Sequence, residues 1–139
     1  MNSRLNLSLR ERHGLVYTVE SSMVSYGDTG AWSVYFGCDA HDVKKCLRLI
    51  RHELDALMQK PLIASMLKAA KQQLRGQLAI ACENRENFTL DFARNFLHRG
   101  EVGDLSRVMQ HIDKLTADDL LSTARELFAE ERLYTLIYQ

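Results

Sequence analysis

Arg10-Glu11-Arg12-His13-Gly14-Leu15-Val16-Tyr17 is the stretch on which the fold turns. Upstream of it, Leu5 and Leu9 stand four residues apart, the spacing of one helical face. Gly14 sits where a helix needs a left-handed residue to stop, and Leu15 follows as the apolar contact that often accompanies such a stop. Val16-Tyr17-Thr18-Val19 then has the β-branched and aromatic content of a strand. The reading is a helix end, a sharp reversal and a strand start. Arg10 lies on the last turns of the helix and Tyr17 at the mouth of the strand. A cation and a phenol gathered at such a junction can grip a polar ligand. From spacing alone, a surface arginine and a half-buried strand tyrosine are the plainer and commoner alternative.

Working downstream, Ser21 and Ser22 interrupt the apolar pattern, which predicts a bend or bulge there. Tyr26-Gly27-Asp28-Thr29-Gly30 has turn chemistry. Residues 31–37 read as the return strand of an antiparallel hairpin, with Trp32, Val34 and Phe36 on one face and Ser33 and Tyr35 on the other. Asp39 reads as a helix N-cap, with Asp42 favouring the same start. Val43, Leu47, Ile50, Leu54 and Leu57 then recur at alternating steps of four and three, an amphipathic helix. Pro61 suits the first turn of the next helix, whose apolar stripe is Ile63, Leu67, Ala70, Leu74, Leu78 and Ala81. Gly76 inside that stripe, costly against alanine, suggests a second backbone packed close by. Phe88, Phe92 and Phe96 fall four apart on a further helix ending near Gly100, and such a stripe reads as core. A short helix over 104–115 carries Leu105, Val108 and Ile112. Thr116 and Asp119 resemble a capping box ahead of Leu120, Leu121, Ala124, Leu127 and Phe128. Residues 133–138 read as a closing strand. The expected fold is α+β: two layers, a mostly antiparallel sheet with helices packed on one face.

At 139 residues the chain is one domain by size and long enough to bury a core. Its 18 basic and 18 acidic residues cancel, which argues against a nucleic-acid or anionic-membrane partner. No apolar run approaches the ~20 residues that span a bilayer. The three cysteines, Cys38, Cys46 and Cys82, form no CxxC pair. With no secretory leader pattern, they read as free thiols of a reducing, cytoplasmic compartment. The five histidines, His13, His41, His52, His98 and His111, do not share a ligand-spaced helical turn. His52-Glu53 alone is too little for zinc, which needs three converging protein ligands. The expectation is therefore no metal on this chain. No paired carboxylates, nucleophile elbow or phosphate loop appears either.

The run MNSRLNLSLRERHGLVYTVES, residues 1–21, resembles the "SRL…LRE…GLAY.V.S" segment of the insulinase, pitrilysin and mitochondrial processing peptidase family of zinc endopeptidases. Residues 28–37, DTGAWSVYFG, resemble that family's "D.G.f.iy.g" hairpin, and residues 71–76, KQQLRG, its "AK.ql.g" helix. The correspondence runs in order along nearly the whole chain, with His13 and Val16 replacing a commoner Arg and Ala. The family is built from homologous halves, and the matching segment belongs to the C-terminal half, which binds no zinc. The resemblance implies that residues 1–139 are a single partial domain, an N-terminally truncated half-domain of the processing-peptidase type. A missing first strand would leave a sheet edge open, so pairing with the absent part, or self-association as a homo-oligomer, is expected.

The family's zinc site is the inverted motif His-x-x-Glu-His on the other half, and this chain lacks it. The resemblance therefore implies zinc in an N-terminal partner half, on the same chain or a separate subunit. In catalytic members the C-terminal half contributes an Arg and a Tyr seven residues apart. Here these are Arg10 and Tyr17; Arg12 falls five from Tyr17 and does not match. The implied roles are substrate binding by Arg10 and Tyr17, the arginine's planar fork suiting backbone carbonyls, and catalysis by Tyr17, whose hydroxyl donates to the tetrahedral oxygen of a peptide under attack. The alternative is a non-catalytic structural or partner-binding subunit of the same fold.

Overall fold

The reversal at Gly14 sets the architecture. In the computed structural model, which describes residues 3–83, 85–100 and 104–138, Gly14 has φ +59, a left-handed conformation that any side chain makes costly. The segment before it, Asn6–Arg12, is a π-helix, not the α-helix that the spacing suggests. A π-turn bonds i to i+5, so its closure reaches further. Gly14 N–H donates to Arg10 O at 3.0 Å and Leu15 N–H to Leu9 O at 2.9 Å, each one residue longer than the usual glycine stop. His13 Nδ1 lies 2.7 Å from the Ser8 carbonyl, so its ring adds a side-chain partner at the helix end. Leu9 is fully buried, and Leu5 and Val16 nearly so.

The strands β1 (Val16–Ser25) and β2 (Gly30–Cys38) pair antiparallel. Val16 pairs with Cys38 but Thr18 with Gly37, which leaves Tyr17 as an extra residue, a β-bulge. The bulge resolves a conflict of phase. Val16 and Val19, three apart, would face opposite sides of an unbroken strand. Both nonetheless pack in one cluster with Leu5, Leu9, Cys46, Ile50 and Leu54, because the extra residue shifts the alternation. The break expected at Ser21 and Ser22 is absent. Ser21 pairs with Val34 and Ser22 with Ser33. The Ser22 and Ser33 hydroxyls lie 3.0 Å apart, and Trp32 Nε1 donates to Ser21 Oγ at 2.9 Å. With their polar atoms satisfied across the ladder, these serines give the strand no reason to bend.

The chain forms two compact units, Met1–Pro61 with Leu121–Gln139, and Leu62–Leu120. In the first, α1 (Val43–Gln59) buries Cys46, Ile50 and Leu54 on its apolar stripe. Trp32, Val34 and Phe36 pack against that cluster from the hairpin face expected of them. Polar ties fix the layer. Arg4 Nε donates to Glu53 Oε2 at 3.0 Å, Arg51 reaches Phe128 O at 3.0 Å, and Arg125 Nε reaches Met58 O at 2.9 Å. This is the α+β, two-layer arrangement with an antiparallel sheet. The expected closing strand does not join it. Residues 133–138 have no ladder partner among the described residues, and Tyr134, Leu136 and Tyr138 are exposed. A strand exists only through a partner's hydrogen bonds, and neither β1 nor β2 offers its outer edge to this segment.

In the second unit, α2 (Ala64–Glu83) starts beyond Pro61 rather than at it. Lys60, held extended at φ −137 and ψ 138, shows the restriction a proline places on its predecessor. A Cβ at Gly76 would meet nothing within 4 Å, so the close backbone neighbour expected there is not found among the described residues. α3 (Arg85–Arg99) ends at Gly100, φ +67. Phe92 and Phe96 on it are exposed rather than core, because no described element covers them; the side chain of Phe88 lies outside the described residues. α4 (Leu105–Lys114) is capped by Asp104, which accepts from Ser106 N at 2.8 Å. Its Ile112 is buried and its Val108 exposed. Ahead of α5 (Ala117–Leu127), Thr116 and Asp119 form the expected capping box: Thr116 N donates to Asp119 Oδ2 at 2.8 Å and Asp119 N to Thr116 Oγ1 at 3.1 Å. Among the described residues no helix is long and apolar enough to cross a membrane.

Candidate functional site

Arg10 and Tyr17 both emerge exposed from the Gly14 junction. Leu9, Leu5 and Val16, buried on either side of them, anchor that junction. Arg10, next to fully buried Leu9, therefore sits on the solvent side of the π-helix. No hydrogen bond or ion pair engages its guanidinium among the described residues. Tyr17 is the bulge residue, and its side chain is 70% exposed although it lies in a strand. Bulges re-aim side chains in this way. The half-buried strand tyrosine allowed by spacing alone is not what forms.

The phenol is held by a group that sequence reasoning assigned elsewhere. Tyr17 Oη donates to Asp39 Oδ1 at 2.7 Å. Asp39 does precede a helical segment, a 3₁₀ turn Ala40–Asp42 leading into α1, and its carbonyl accepts from Asp42 N at 2.9 Å. Its side chain caps nothing, because it is the acceptor for Tyr17. In the antiparallel register Tyr17 lies on the Gly37 side of the Val16–Cys38 pair and Asp39 on its other side, so the long tyrosine side chain reaches diagonally across that last pair to the carboxylate. The signal was present in the sequence as two valines three apart on a strand. The hydrogen bond to Asp39, followed by the charge of that carboxylate, holds the Tyr17 phenol above its ordinary value. The hydroxyl therefore stays protonated, the form that can donate.

Asp39, His41 and Asp42 bring potential ligand atoms within 4.8 Å of one another. Their partners are already defined: His41 Nε2 faces Asp42 Oδ2 at 3.2 Å, and Asp39 receives Tyr17. This arrangement does not match the inverted helical zinc motif, and neither His13 nor His52 enters it. A depression of about 250 Å³ under the hairpin is lined by Leu5, Val19, Trp32, Leu54, Leu57 and Phe128, among others. Another of about 600 Å³ lies along α2 beside Asp113. Neither includes Arg10 or Tyr17.

Residues 1–74 match the family model described as the peptidase M16 inactive domain. The chain belongs to the peptidase M16 family. Curated relatives align with nearly its full length. It is 28% identical over 137 residues to the uncharacterized zinc protease YmxG of Bacillus subtilis, covering 99% of this chain and 34% of that protein. It is 31% identical over 130 residues to an uncharacterized zinc protease of Rickettsia felis, covering 93% of this chain and 31% of that one. The chain thus spans about a third of the length of these relatives. In fold, it is similar to a chain of complex III2 from Candida albicans with Inz-5 bound, with a TM-score of 0.80 at 22% identity over 91% of this chain and 30% of that one. At that identity the likeness speaks to the fold alone.

Proposed function

We propose that this chain is the substrate-binding, non-metal half of an M16 zinc metalloendopeptidase, and that its 139 residues, both compact units included, form one partial half-domain. Zinc, held by an N-terminal partner half, supplies Lewis-acid polarisation of the scissile carbonyl and an activated water. This chain contributes two groups and holds no metal. Arg10 presents its fork to substrate backbone carbonyls, and Tyr17 donates its proton to the tetrahedral oxygen, a preorganised donor of the oxyanion-hole kind. The observation that supports the reading is that Tyr17 and Arg10 both face solvent from the two sides of the Gly14 reversal, Arg10 with no partner among the described residues. Neither lines the two depressions found among the described residues, as suits donors serving a site completed by another half. The free thiols Cys38, Cys46 and Cys82 support a reducing, cytoplasmic setting.

The open edges of the two-stranded sheet and residues 133–138, which have no ladder partner among the described residues, support a strand supplied from outside, by the partner half or by a second copy. The test compares zinc content and peptidase activity of the full-length polypeptide with those of this chain. Full-length protein should bind zinc stoichiometrically and cleave a quenched-fluorescent peptide, while this chain does neither. Arg10→Ala in the full-length protein should reduce kcat/KM by tenfold or more, chiefly through KM. Stoichiometric zinc on this chain alone, or an unaltered kcat/KM in the Arg10 variant, would overturn the reading.

A further inference from the structure

Tyr17 has one proton to give, and in this structure Asp39 receives it. Nothing else among the described residues is hydrogen-bonded to that hydroxyl, and the ring stands largely in solvent. A tyrosine so placed would otherwise spread over its staggered χ1 wells. Asp39 is better fixed. It sits between the last pair of the β ladder and the 3₁₀ turn before α1, with its carbonyl bonded to Asp42 N. α1 is anchored in turn by buried Cys46 and Ile50. The bulge aims the ring, and the carboxylate, placed at the start of α1, selects one orientation of it.

We propose that Asp39 is the positioning residue for Tyr17, holding its hydroxyl in place and yielding the proton only to an acceptor stronger than itself. This inference rests on the role given to Tyr17 above. A neutral peptide carbonyl is a weaker acceptor than a carboxylate, because charge-assisted hydrogen bonds are the stronger class. The ground-state substrate therefore leaves the Tyr17–Asp39 bond intact. A tetrahedral oxyanion carries a full charge, and rotation of the hydroxyl about its C–O bond transfers the donation with no movement of the ring. The donor is thus withheld from the ground state and given to the transition state, the condition under which an interaction raises kcat rather than lowering KM. No covalent bond involves Asp39.

The test is a double-mutant cycle in the full-length zinc-loaded protein, read with a quenched-fluorescent peptide. Asp39→Ala should lower kcat about three- to tenfold, the dilution of one χ1 well among three with some loss of ring orientation, while KM stays within twofold. Asp39→Asn keeps an acceptor oxygen in the same place and should retain at least half of the wild-type kcat. In a Tyr17→Phe background, Asp39→Ala should change kcat by less than twofold, since there is no hydroxyl left to position. A helix-cap or folding role for Asp39 would instead lower kcat by the same factor in both backgrounds. That additive result overturns the inference and leaves the role of Tyr17 standing. A Tyr17→Phe variant with unchanged kcat overturns both. Thermal melts of each variant identify any that fail to fold; if Asp39→Ala does, the Asp39→Asn and Asp39→Ser variants are carried through the same cycle, with Asn expected to exceed Ser.

Discussion

Replacing Gly14 with alanine isolates the conformational demand on which the Arg10–Tyr17 junction is built. An added Cβ there meets nothing within 4 Å, so no clash with a neighbour enters the cost. What remains is the φ of +59, and a left-handed residue with a Cβ costs roughly 1–2 kcal/mol. Alanine also narrows the unfolded ensemble, which offsets about 0.4–1 kcal/mol. The net loss should be about 1 kcal/mol. With a urea m-value of about 2 kcal/mol/M, the unfolding midpoint falls by roughly 0.5 M. The identity of the side chain should order the losses. Asparagine tolerates the left-handed region and should cost least, alanine more, and valine, branched at Cβ, most. The assay is urea unfolding of the chain followed by far-ultraviolet circular dichroism. Equal stability of all four proteins would refute the argument, because the glycine would then not be required by its backbone. A loss above about 4 kcal/mol for alanine would refute it in the other direction, since it would demand a steric clash that open space excludes.

Other outcomes follow from particular side chains. Burial pushes the Cys46 thiol up to about 11, and it has no exposed surface; at pH 8 a water-soluble disulfide reagent should titrate Cys38 and Cys82 in the native chain, and Cys46 only after denaturant is added. Leu9→Ala should cost about 2–5 kcal/mol as a core truncation, whereas Val108→Ala, at an exposed position, should stay within about 0.5 kcal/mol in the same urea assay. The Thr116 hydroxyl and amide hold the Asp119 carboxyl below its ordinary value. A depressed carboxyl stabilises the fold above the unfolded value of about 3.9 and loses that contribution as pH falls through the lower native value. Thr116→Ala should therefore destabilise at pH 7 and make less difference as the pH falls below 4, as followed by thermal melts across that range.

Much of this molecule was legible in the chain because its signals were local. The left-handed Gly14, the inward face of Trp32, Val34 and Phe36, the α1 stripe and the Thr116–Asp119 box each depend on residues within a turn or two of one another. The winding of Asn6–Arg12 was not legible, since a π-helix and an α-helix use the same apolar residues and differ only in how far each carbonyl reaches. The polar Ser21 and Ser22 suggest a break that does not form, and the informative feature is the three-residue interval between Val16 and Val19. Asp39 shows the general limit. Its sequence context is that of a cap, and only the register of β1 against β2 reveals that Tyr17 reaches it first. Residues 133–138 have every property of a strand except a partner, and a partner is not written in a strand's own sequence. The same holds for Phe92 and Phe96, whose helical spacing says that a face is apolar but not what covers it.

The account rests most heavily on the hydroxyl of Tyr17, and kcat of the Tyr17→Phe variant of the full-length, zinc-loaded protein tests it most directly. Loss of one oxyanion donor should lower kcat by about 10²–10³-fold with KM little changed and zinc content intact. An unaltered kcat, with the variant folded and fully loaded, would contradict the assignment of Tyr17 to catalysis.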